Sequence, residues 1–158
     1  MDKIILSNLL QLYLYDFSEF KDFPLNEHGL YSYKYLDHQW TDDFRRPLIV
    51  KVDDEIAGSA LLMIDVSTDI TVFSQAKKTN VISEFFIMKK FRRKGIGKQL
   101  ALYLFDEYEG IWEVRQTYGN RPAYSFWKNV ISEYTRGSYY EIILKNENWN
   151  GPVMVYQS

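Results

Sequence analysis

The chain has 158 residues, 46% of them apolar and 25% charged, a balance that fits one folded domain over residues 1–158 and excludes a disordered chain. Nineteen basic residues against 21 acidic ones give a formal charge of -2, so the chain as a whole has no attraction for nucleic acid or a membrane surface. Cysteine is absent, which excludes disulfides, thiolate nucleophiles and cysteine-ligated metals, and with only His28 and His38 a histidine metal cage is not expected either. The apolar opening stretch Met1–Leu14 is interrupted by Asp2, Asn8 and Gln11, with no small-residue cleavage site after it. It reads as neither secretory leader nor membrane span, and a cytoplasmic location is expected.

In chain order, Leu6, Leu9, Leu10, Tyr13, Phe17 and Phe20 recur at helical spacing and predict an amphipathic helix ending before Pro24. Residues 30–40 hold a short patch compatible with a second helix. Leu48–Val52 and Ile56–Val66 predict a hairpin about the turn Asp53-Asp54-Glu55, and Val81–Met88 predicts an inner strand. Gly97–Tyr108 repeats Leu100, Tyr103, Leu104 and Tyr108 at helical intervals, with Gly110 as its C-terminal stop. Ile111–Tyr118 returns as a strand. Asn120 before Arg121-Pro122 opens another helix, whose inward face is Ala123, Phe126, Trp127, Val130 and Ile131. Two strands, 139–144 and 153–156, close the chain. This order predicts an α/β (α+β) fold, one mixed, mainly antiparallel twisted sheet with flanking helices.

The aromatic count is high, 13 Tyr, 10 Phe and 4 Trp, and ten of these rings lie in residues 13–44. They form either a packing wall or an aromatic-lined pocket. Charge is uneven as well. Residues 89–98 hold six basic side chains (Lys89, Lys90, Arg92, Arg93, Lys94, Lys98) and no acid, leaving 13 bases against 21 acids elsewhere. This decapeptide joins the inner strand to a helix that begins at Gly95-Ile96-Gly97, where free N–H groups and the positive helix end can face phosphate oxygens. A Walker A loop is excluded, because Arg92 and Gln99 stand where glycine and Ser or Thr are needed. The dinucleotide fingerprint fails at Leu100.

What remains, Arg92-x-x-Gly95-x-Gly97, resembles the coenzyme A loop of the GNAT superfamily of N-acetyltransferases. The family places a strand directly before the loop and, after the next strand, a helix opening with Asn; Asn120, Ala123, Phe126 and Trp127 stand at the matching spacing. The resemblance covers about residues 48–158. It implies the GNAT fold, with two splayed central strands, and acetyl-CoA as acyl donor. Main-chain amides of about Arg93 to Lys98, including Lys94 and Ile96, are then expected at the pyrophosphate, and Arg92 or Arg93 at the 3'-phosphate side. The backbone near Phe86, Ile87 and Met88 is expected to pair with pantetheine and to face the thioester oxygen. Asn120 is either a pantetheine ligand or an ordinary helix cap.

Glu84, on the inner strand, is the candidate base; a structural ion pair or a substrate anchor is the other reading. Burial beside apolar groups is expected to raise its pKa. Trp127 stands where the family carries a tyrosine that protonates the departing thiolate, and an indole N–H does not titrate in water. It reads as core packing first and as a contact to the coenzyme thiol second, with Tyr124 as a substitute acid. Residues 1–44 hold eight acids and three bases, which either solvate the surface or line a cleft for the amine of a small molecule or peptide. Many relatives have a strand before the first helix; without one the first sheet edge is open, and a homodimer is an expectation. Three functions compete: an acetyl-CoA:amine N-acetyltransferase, a catalytically silent acyl-CoA-binding module, and a nucleic-acid or phosphate-binding domain outside this family. The first is preferred and implies no nucleic-acid or membrane partner.

Overall fold

The computed structural model describes residues 2–158; Met1, at the head of the apolar opening stretch, lies outside them. Helix α1 (Lys3–Phe17) starts where the Asp2 carboxylate accepts the Ile4 N–H at 2.8 Å, satisfying one of the donors that a helix leaves orphaned. Leu6, Leu9, Leu10 and Leu14 are its buried stripe. The helix stops at Phe17, one turn short of the predicted run, and the Phe20 and Phe23 rings of the following loop pack on Phe17 at centroid distances of 6.3 and 5.8 Å. The short apolar patch after Leu30 yields only one helical turn, α2 (His38–Thr41).

Strands β1 (Arg45–Val52) and β2 (Glu55–Val66) form the predicted hairpin. Asp53 and Asp54 both adopt positive φ (49° and 65°), the two-residue turn whose hand matches strand twist. Strand β3 (Thr79–Ile87) runs antiparallel to β2. Helix α3 (Ile96–Glu107), strand β4 (Ile111–Arg115), helix α4 (Arg121–Tyr134) and strands β5 (Tyr140–Lys145) and β6 (Asn150–Gln157) complete a sheet ordered β1-β2-β3-β4-β6-β5. The mixed sheet with flanking helices is the expected fold class. Tyr103, predicted for the inward stripe of α3, is 54% exposed, and α3 is capped at Tyr108 rather than at Gly110. Strand β4 ends three residues earlier than predicted, although Gln116 and Tyr118 still donate their N–H groups to Pro152 and Asn150.

Two cores lie on opposite faces. On one, Leu62, Ile82, Leu104, Phe105, Trp112 and Ile131 bury under α3 and α4, each side chain contributing about 1.5–3 kcal/mol. On the other, α1 lays Leu6 and Leu10 on Leu61. The long β2–β3 connection is tied to this second face by Glu113, fully buried, whose carboxylate accepts the N–H groups of Val72, Phe73 and Ser74 at 3.0, 3.0 and 2.7 Å and pairs with Arg115 at 3.0 Å.

The feature that positions the site lies between β3 and β4. They pair in parallel only at Asn80–Ile82 with Trp112–Val114. Leu61 stands opposite Glu84 and Leu62 opposite Ile82, so Ser83 is an extra residue in β3. Such a bulge bends its strand. Beyond it β3 continues for four residues without β4 beside it, which leaves one edge of Glu84–Ile87 open in the middle of the sheet. At the outer edge of the sheet, β1 carries Arg46, Pro47 and Lys51 and a register slip at Val50/Lys51.

Candidate active site

The basic loop runs from the end of β3 through a 3-10 turn (Lys89–Phe91) to Gly95, which caps α3 in the left-handed region at φ 80°. Among the described residues, none of the main-chain N–H groups from Arg93 to Lys98 donates to a protein acceptor; the first helical bond of α3 is Gln99 N–H to the Gly95 carbonyl at 2.9 Å. Six consecutive donors at the positive end of a helix are an anion cradle in physical terms. Gly95 supplies the positive φ. At Gly97 a Cβ would meet the Phe126 ring at 3.4 Å and Ile87 at 3.6 Å, ordinary contact distances, so the first turn of α3 lies close against both α4 and β3.

The side chains of the loop are less free than their count suggests. Lys90 pairs with Glu55 at 2.6 Å and Lys98 with Glu133 at 2.7 Å. Arg92 donates from Nε to the Ile87 carbonyl at 2.7 Å and from its other end to Asp16 of α1, with its guanidinium 5.7 Å over the Phe86 ring. Arg92 therefore ties the loop to α1 instead of reaching toward the cradle, while the exposed Arg93 and Lys94 have no carboxylate partner among the described residues.

The open edge of β3 presents alternate residues. Met88 N–H donates to Ala57 of β2 at 2.8 Å, and the Met88 carbonyl accepts Phe91 N–H at 2.9 Å. Backbone direction alternates along a strand, so Phe86 also turns its polar groups toward β2, and Phe85 and Ile87 turn theirs to the open side. Of the three positions predicted to pair with pantetheine, Ile87 has its main chain on that side, with its N–H open and its carbonyl taken by Arg92. Phe85, not singled out from sequence, is the second.

Glu84 sits on the α1 face, where the hydroxyls of Tyr13 and Tyr33 each donate to one of its carboxylate oxygens, that of Tyr33 at 3.1 Å. Burial pushes the Glu84 carboxyl above its ordinary value, and the two tyrosine hydrogen bonds and the nearby charge of Lys21 oppose that push. Burial, then the Glu84 charge, raises both phenols. The two tyrosines join α1 and the following loop to β3 through one carboxylate. Tyr13 was visible only as a member of a helical stripe, and Tyr33 carried no signal.

The remaining candidates lie apart. Asn120 caps α4, its Oδ1 accepting Ala123 N–H at 3.1 Å. Trp127 is 5% exposed and packs edge-on to Phe85 and Phe126 at 4.8 and 4.9 Å, a core position. The Tyr124 hydroxyl donates to Glu141 on β5 at 2.6 Å and accepts from Lys128 at 2.9 Å. Since β5 is three strands from β3, the structure does not bring Tyr124 to Glu84. Next to the open edge, a groove of about 220 Å³ runs between α1 and the end of β3, walled by Leu12, Tyr15, Phe86 and Met88.

The model of the acetyltransferase (GNAT) family matches residues 9–130. No curated protein matches the chain. Among solved structures, the PaiA N-acetyltransferase from Thermoplasma acidophilum in complex with coenzyme A superposes with TM-score 0.59 at 12% identity, over 99% of this chain and 93% of that one. A GNAT-family acetyltransferase from Staphylococcus aureus gives 0.58 at 12% identity, covering 97% and 93%. An aminoglycoside 6'-acetyltransferase type Ii gives 0.58 at 17%, covering 98% and 88%. At such identities the likeness is one of fold, and the family match, with the splayed strands and the glycine loop between β3 and α3, carries the assignment: the chain belongs to the acetyltransferase (GNAT) family.

Proposed function

We propose that this protein is an acetyl-CoA-dependent N-acetyltransferase acting on a primary amine. The observation that carries the reading is the run of six unpartnered N–H groups from Arg93 to Lys98, next to a strand edge left open inside the sheet. The cradle takes the diphosphate of the coenzyme, with Arg93 and Lys94 adding long-range attraction. The pantetheine arm extends along the edge of Phe85 and Ile87, where one main-chain N–H faces the thioester oxygen.

In the reaction the neutral amine attacks the thioester carbon and forms the C–N bond. Negative charge gathers on the oxygen, and the C–S bond then breaks to release the thiolate. The proton lost from nitrogen passes to Glu84, whose raised pKa suits it as an acceptor near neutral pH. No side chain near Glu84 is assigned as the acid, and the thiolate takes its proton from water. The buried Trp127, in place of a titrating tyrosine, favours a second reading, a module that binds acyl-CoA without turnover.

Thermal-shift titration with acetyl-CoA, CoA and a short oligonucleotide tests coenzyme binding, since stabilisation must follow the ligand that the native state binds. The coenzymes are expected to raise Tm and the oligonucleotide to leave it unchanged. Thiol release over an amine panel then separates enzyme from silent module: release no faster than buffer hydrolysis with every amine removes the catalytic reading.

A further inference from the structure

We infer that the acceptor is a small primary amine with an apolar or aromatic body and no second positive charge, seated in the groove between α1 and the end of β3; this rests on the acetyltransferase reading above. The groove encloses about 220 Å³, below the roughly 300–1,000 Å³ of pockets that hold drug-sized ligands. Leu12 and Tyr15 wall it from α1, Phe86 and Met88 from the sheet. Its connection to the chemistry runs through Phe86, whose ring meets that of Tyr13 edge-on at 6.0 Å, while Tyr13 bonds Glu84. An apolar body against these four side chains gains about 25 cal/mol for each Å² withdrawn from water.

Charge decides against a polycation. The charged groups lining the groove are Asp16, Lys89 and Arg92. The one carboxylate already binds Arg92 and stands 3.4 Å from Lys89, so the lining is net positive. The acids of the first 44 residues do not gather there. Asp2 caps α1, Asp37 pairs with Lys3 at 2.6 Å and Asp42 with Arg45 at 2.8 Å, Glu27 lies beside His28, and Glu19, Asp22 and Asp43 are exposed. A second ammonium entering the groove meets two cations and no unpaired carboxylate to offset its loss of water.

The test uses the purified full chain, thiol release with phenethylamine, spermidine and kanamycin as acceptors, and calorimetric CoA binding measured alongside. The expected result is a kcat/KM for phenethylamine at least tenfold above that of either polycation. Leu12→Glu, at a position 48% exposed and so tolerant of substitution, is expected to shift the phenethylamine-to-spermidine ratio at least tenfold toward spermidine, mainly through KM. A polycation ahead of phenethylamine, or a ratio unmoved by Leu12→Glu, overturns the groove assignment while leaving coenzyme binding intact. Failure to bind CoA overturns the acetyltransferase reading itself, and the assignment with it.

Discussion

Replacing Gly95 by alanine isolates the conformation of the anion cradle from its space. A Cβ at Gly95 would have only Gln99 Nε2 near it, at 3.8 Å, so no clash follows; the cost is the left-handed backbone, φ 80°. For an L-residue with a side chain that cost is roughly 1–2 kcal/mol. If the loop keeps its shape, the whole cost appears as stability, a fall in Tm of about 2–8 °C for a chain of this length. If the loop relaxes, Tm holds and the coenzyme must restore the shape on binding, which weakens affinity about 5- to 30-fold. The two losses together return the strain energy. Gly29→Ala is the control, because Gly29 has φ 71° and nothing within 4 Å but lies in the loop after α1; it is expected to lower Tm with CoA affinity unchanged. Circular dichroism melts and titration calorimetry with CoA measure both quantities. The reasoning is refuted if Gly95→Ala moves neither, or if Gly29→Ala weakens CoA to the same degree.

Glu84→Gln is expected to lower turnover about 10²- to 10⁴-fold, the usual weight of a general base. Its effect on stability has a definite sign. The folded-state pKa is raised above its ordinary value of 4.5, so the contribution of Glu84 is present below that pH and is lost as pH rises through the folded value. Melts of wild type and Glu84→Gln should therefore converge at acid pH, with the variant ahead at pH 8. Tyr13→Phe removes a hydrogen bond that holds the Glu84 pKa down; the acid limb of the kcat/KM profile is expected to move to higher pH, whereas a purely structural tyrosine would lower activity without moving the limb. Glu113→Ala leaves three N–H groups, that of Ser74 buried and those of Val72 and Phe73 partly so, and Arg115 without their carboxylate, a loss of about 3–5 kcal/mol. Tm should fall by about 6–20 °C by the usual conversion for a chain of this length, as read by circular dichroism.

Much of the fold was legible because it rests on local rules. The alternation through β1 and β2, the turn at Asp53-Asp54, the Asn120 cap before Pro122 and the glycines of the loop are short-range patterns, and each element formed within a few residues of its expected place. The misses lie where side-chain packing or a close backbone approach overrules the pattern. The first helix lost its last turn to the packing of Phe17, Phe20 and Phe23, and Ile111–Tyr118 lost its final strand residues as the chain curved to meet Gly151, where a Cβ would come within 2.0 Å of the Gln116 carbonyl. The candidate site was half visible. Arg92, which with Arg93 is the expected contact on the 3'-phosphate side, bonds Asp16, 76 positions away, and Tyr33 reaches Glu84 over 51 positions with nothing in its neighbours to announce it.

The sequence by itself determined a phosphate-sized loop, through two glycines behind a basic run and before a helix, because left-handed backbone and orphan N–H groups depend on adjacent residues alone. It also determined that Glu84 lies on an inner strand. Tertiary structure decided which main-chain groups face the gap, which basic side chains stay free, and that only Asp16 among the acids of the first 44 residues lines the groove. Strand direction and ion pairing are properties of partners, and partners separated by tens of residues meet only when the sheet and α1 close on each other.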